Sequence, residues 1–166
     1  CVAALVDLAF LPVLAVVLAR PLVATGNRRN FVMLAVIAAL FAADVVTHLD
    51  ALGVMPPGSA RLACLTAIDV VIFLILVIRG RVVPMFTRNA TNRDSIRSSP
   101  ALDRATVLAM LGLLLVDAFA FPRAGAGALV AGVVALLALL RARHWGARYC
   151  AREPLLWILH AGYGWL

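Results

Sequence analysis

Two histidines and four aspartates lie inside apolar stretches of this sequence. An ionisable group there costs about 2.5–3.5 kcal/mol on insertion scales, so each one points to a use. They are His48, His160, Asp7, Asp44, Asp69 and Asp117. Asp44 and His48 are four residues apart and so stack on one helix face. One reading is a buried imidazole that ligates a metal or haem, with a carboxylate orienting its second nitrogen. The other is a histidine at the membrane edge beside an aspartate that faces water. His160 stands in Trp157-Ile158-Leu159-His160-Ala161-Gly162-Tyr163-Gly164-Trp165. It is six residues past Pro154, roughly 9 Å along a helix. Gly162 and Gly164 remove bulk where a flat macrocycle would approach the backbone, although an interfacial aromatic belt accounts for the same residues. Asp69 is central in its stretch, where a helix-to-helix hydrogen bond is the first reading and a proton relay the second. Asp7 and Asp117 stand near outer ends, where water is close, and carry little weight. His144, in an arginine-rich loop, reads as a solvated residue.

The elements that hold these residues follow from composition. Hydrophobic residues make up 64% of 166, charged residues 14%, and mean hydropathy is +1.03. Soluble domains carry about 25% charged residues, so too little polar surface remains for a soluble fold. The expectation is an all-α, polytopic transmembrane bundle in contact with a lipid bilayer. Spans are expected at about 1–19 (broken after Arg20-Pro21), 31–49, 60–78, 105–121 and 125–140. A sixth begins at Pro154 and stops at Leu166. The sequence opens inside one apolar run and stops inside another, so it is expected to be one transmembrane domain of a longer protein whose remaining helices are partners.

All 15 basic residues are arginine and the net charge is +7. They fall between the apolar runs, which makes them topology signals and not a nucleic-acid surface. Successive connections hold 3, 1, 6, 1 and 4 of them. That alternation puts connections of about 20–30, 79–104 and 141–153 on the cytoplasmic side of a bacterial inner membrane. The segment 79–104 is expected to be largely irregular. The recurrence of Ala124, Ala128 and Gly132 suggests close helix approach. Cys1, Cys64 and Cys150 form no metal-type spacing and read as packing residues.

Within 79–104, the stretch Gly80-Arg81-Val82-Val83-Pro84-Met85-Phe86-Thr87-Arg88-Asn89 suggests a structured segment at a membrane edge, where guanidinium groups are able to hold propionates or lipid phosphates, although plain topological anchoring explains Arg79 and Arg81 equally well. It closely resembles a hallmark segment of the NnrS family. Pro154 to Trp165 resembles that family's Leu-His-Leu-Gly-Tyr-Ala-Trp segment, with Ala161 for the usual Leu and Gly164 for the usual Ala. The resemblance implies a haem- and copper-containing bacterial membrane protein associated with the nitric oxide response and denitrification. It makes His160 a candidate haem or metal ligand and His48 a second. Arg81, Arg88, Asn89 and Tyr163 become candidate cofactor contacts. A proton-coupled transporter using Asp69 and Asp44 is the alternative; transporters usually break their helices at a midplane site, and apart from Pro12 the full spans lack internal proline.

Overall fold

A computed structural model describes residues 2–26, 30–119, 124–150 and 153–165. Cys1, Arg28, Arg29, Pro122, Arg123, Arg152 and Leu166 lie outside them. Among the described residues all regular structure is helical: α1 Val2–Ala24, α2 Phe31–Ala51, α3 Ser59–Thr91, α4 Pro100–Phe119, α5 Ala124–Ala142 and α6 Pro154–Gly164. Two single-turn 3-10 segments, Arg143–Trp145 and Ala147–Tyr149, stand between α5 and α6. The all-α expectation holds. Four helical segments are long and apolar enough to cross a bilayer: Ala4–Ala24, Phe31–Ala51, Ser59–Thr91 and Gly125–Trp145. The charges of α4 sit at its ends, Asp103 and Arg104 near one and Asp117 near the other, so its apolar stretch is shorter. Large apolar side chains such as Leu5, Phe10, Leu129, Leu136 and Ile158 are exposed along the helices. That is the surface of a protein solvated by lipid rather than water.

Two boundaries and one packing contact differ from the sequence reading. The first helix does not stop at Arg20-Pro21 but runs through Pro21 to Ala24. A proline removes its own N–H and no other, and the Pro21 carbonyl still accepts from the Thr25 amide at 3.0 Å and the Thr25 hydroxyl at 2.8 Å. Gly26, at φ +61°, then takes the left-handed turn that ends the helix. The third helix continues thirteen residues beyond Ile78, through Pro84 to Thr91. The segment 79–104 is thus mostly helix, with a connector at 92–99 and α4 already begun at Pro100. Loss of hydropathy at Arg79 marks an environment change, not a helix end. Thirdly, Ala128 and Gly132 are exposed on α5. The close approach falls instead at Gly127, where an added Cβ would lie 3.0 Å from an Asp117 oxygen of α4.

Contacts group the chain into two compact units, residues 1–74 and 75–166. In the first, α1 and α2 pack as an antiparallel hairpin. Asp50, near the end of α2, accepts from the Ala60 amide at 2.9 Å and so satisfies one free donor at the start of α3. In the second unit α4 and α5 pack together, and the 3-10 turns join α5 and α6 to them. Leu76, Gly80, Val83 and Thr87 form the buried stripe of α3 in this unit, at the i, i+4, i+7, i+11 spacing of one helix face. Ile96 of the 92–99 connector is buried against Gly146, whose φ of +73° turns the chain between the two 3-10 segments.

Candidate functional site

In the first unit the hairpin brings three ligand-type side chains together. His48 Nε2 lies 3.2 Å from Asp7 Oδ2 and 3.6 Å from Asp44 Oδ1. One donor atom from each of the three falls within 4.8 Å of the others. The Asp44–His48 stacking expected from spacing is present; the partnership of Asp7 is not what its terminal position suggested. Asp7 stands as far before the end of α1 at Ala24 as His48 stands after the start of α2 at Phe31. An antiparallel hairpin places such residues opposite one another, but the count needs α1 to run to Ala24; a first span ended near Ala19, as its hydropathy suggested, puts Asp7 out of register with His48. His48 and Asp44 are about three-quarters buried, with side-chain exposures of 28% and 24%, and Asp7 is 66% exposed. Asp7 and Asp44 also line a cleft of 450 Å³, with Thr47, Phe10 and Cys64 on its walls. Asp69, 8% exposed, is buried on α3 in this unit.

The second unit holds His160. Its half-buried ring places Nε2 3.2 Å from the hydroxyl oxygen of Thr87, which is fully buried on α3. That hydroxyl donates to the Val83 carbonyl at 2.9 Å. With its proton committed, Thr87 Oγ1 accepts from His160 Nε2–H. A neutral imidazole held in that tautomer presents Nδ1 as a lone pair. Cys150 is buried beside Thr87, its thiol directed at the Gly146 carbonyl at 3.6 Å. Burial pushes the Cys150 pKa up and the Thr87 contact opposes this.

Around α6 a group of donors is short of acceptors. Arg79 Nη1 and Trp145 Nε1 are buried and have no hydrogen-bond partner among the described residues, and the buried Tyr163 hydroxyl, which accepts from Arg141, has no acceptor for its own proton there. Trp145 and Tyr163 meet edge to face with ring centroids 4.6 Å apart. The Arg79 guanidinium rests against Gly162, where a Cβ would lie 3.3 Å from both terminal nitrogens. Behind them Arg141, only 3% exposed, ion-pairs with Asp103 of α4 and donates to the Leu76 carbonyl at 3.1 Å. It also stacks over Trp145 at 5.3 Å. Gly80 makes room for it, since any side chain there would overlap the guanidinium.

Of the residues singled out by sequence, His160 and Tyr163 are both in this second unit, and His48 is in the first. Arg81, Arg88 and Asn89 are exposed on α3. Arg79 turns toward α6 in their place, because the helix continues and 79 lies close to the phase of 76, 80 and 83. Thr87, Arg141, Trp145 and Asp103 also escaped sequence reasoning; Thr87 lies within the Gly80–Asn89 segment but was given no role there, and the other three belong to no motif.

A protein-family model described as NnrS protein matches residues 1–166, the same family the two segments resemble. No curated protein matches the chain, and no solved structure does.

Proposed function

The chain belongs to the NnrS family, and from that premise we propose that it is part of a haem- and copper-containing protein of the bacterial inner membrane, acting in the nitric oxide response and denitrification. Connections of about 20–30, 79–104 and 141–153 then face the cytoplasm, as their arginine content favours. The family match over the whole length carries this reading. The residues of the second unit fit a haem: one neutral imidazole with a free Nδ1, and buried donors that lack acceptors. Buried polar groups are ordinarily paired, and a haem brings two carboxylates for which such donors are suited.

When bound, haem supplies an iron whose affinity for a diatomic gas is set by the polarity around it. The work of this chain's own residues is to bind and orient. Thr87 holds the His160 tautomer by accepting from Nε2–H. Arg79, Tyr163 and Trp145 offer donors at the α6 end, with Arg81, Arg88 and Asn89 on the exposed face of α3 as further candidates for carboxylate contacts. Gly162 leaves the Arg79 guanidinium free of side-chain bulk. Apolar helix faces exclude water while admitting a small neutral molecule such as nitric oxide. His160 is the first candidate ligand for haem or copper, and His48 the second.

The full-length protein, purified from membranes in detergent, is expected to show a Soret band that sharpens on dithionite reduction and shifts on addition of nitric oxide. A His160→Ala variant is expected to lose most of that band while retaining its helical circular dichroism. A cofactor-supplied, folded wild type with no Soret absorbance contradicts the haem reading. Proton-coupled uptake abolished by Asp69→Asn would then favour the transporter alternative, in which Asp69 and Asp44 relay protons.

A further inference from the structure

We propose that Asp7, Asp44 and His48 form a non-haem site for a divalent first-row cation, opening onto the cleft between α1, α2 and α3 in the first unit. The geometry gives two carboxylate oxygens and one imidazole nitrogen, all within 4.8 Å of one another and drawn from two helices. Oxygen and imidazole donors suit zinc, manganese or ferrous iron and are a poor set for cuprous copper, which prefers thiolate or thioether.

Charge points the same way. Two carboxylates packed this closely repel each other, and Asp44, about three-quarters buried, also loses hydration. The ion pairs that Asp7 and Asp44 make among the described residues are both with His48. A protonated imidazole offsets one of the two negative charges. A divalent ion beside a neutral imidazole offsets both. Three protein donors leave at least one coordination position open, the pattern of a reactive rather than a purely structural site. Asp7, the most exposed of the three, and Asp44 border the 450 Å³ cleft, so that open position has room for water or a small ligand.

The site deepens the proposed function at one point, giving His48 to an ion outside any haem, but it stands without haem. The experiment uses detergent-purified full-length protein, stripped with a chelator and titrated with Co(II), whose visible d–d bands report ligand number and type. Equilibrium dialysis of the same samples gives stoichiometry. Wild type is expected to bind one Co(II) at this site. Asp7→Asn, Asp44→Asn and His48→Gln are each expected to weaken binding by at least about 10–100-fold, the loss typical even of supporting residues at metal sites. Cys64→Ser, on the cleft wall but outside the donor set, is expected to bind Co(II) as wild type does. Asp7→Asn changes an exposed side chain and spares the fold, so wild-type affinity in that variant overturns the proposal even where the other two fail to fold. Wild type without saturable Co(II) bands overturns it as well. Loss of Co(II) binding in Asp7→Asn with the Soret band unchanged supports this site whatever binds at His160. A missing Soret band with Co(II) binding intact contradicts the haem reading alone.

Discussion

Gly80 and Arg141 are the residues on which the second unit most depends. A buried guanidinium is tolerable only when its donors are spent, and Arg141 spends them on Asp103 and on the Leu76 carbonyl. Gly80 lets it lie directly on the backbone of α3. Pro84, four residues on, has no N–H for the Gly80 carbonyl. Gly80→Ala is expected to destabilise the protein by about 3–5 kcal/mol, the cost of breaking a buried pair. Asp103→Asn is expected to do the same, and the double variant to lose far less than the sum. Thermal unfolding in detergent reads all three; full additivity would show that the glycine and the ion pair are independent. At this scale the sequence was readable where one helix face sufficed, as with Asp44 and His48. It was not readable where partners came from separate helices. Arg81 was named and Arg79 was not because the resembling segment begins at Gly80, and a helix ended at Ile78 gave no phase to set against that.

Helix α3 has 33 residues, about 50 Å at 1.5 Å each, against a hydrocarbon core of about 30 Å. It must emerge from the bilayer, and the arginines from Arg79 onward mark where. Hydropathy finds the emergence, and helical periodicity finds the end. The first was plain in the sequence, whereas the second is weak across Val82–Thr87, where apolar residues surround the helix. Single cysteines placed from 81 to 91 in a cysteine-free protein test this directly. Labelling with a membrane-impermeant maleimide in inside-out vesicles is expected to be fast at 81, 85, 88 and 89 and slow at 83 and 87, a period near 3.6. Uniform labelling would mean an irregular loop. Labelling only in right-side-out vesicles would reverse the proposed orientation. The α1–α2 hairpin follows the same logic, since its register alone sets Asp7 opposite His48.

The whole chain divides its polar chemistry between two units. One sets an acidic pair and a histidine beside a cleft; the other surrounds a histidine with arginine, tyrosine and tryptophan donors. Membrane character and the all-α class were legible from composition and arginine alternation, because lipid solvation constrains every residue at once. The family was legible from two segments, Gly80 to Asn89 and Pro154 to Trp165, which fall together in the second unit. Donors without acceptors could not be seen in a sequence, since burial and pairing exist only after packing. These features converge on His160, and the claim that it ligates haem can be tested by cavity rescue. His160→Gly in the full-length protein is expected to abolish the reduced Soret band, and added imidazole to restore it at its original position. A Soret band in His160→Gly that matches wild type without imidazole would contradict the account.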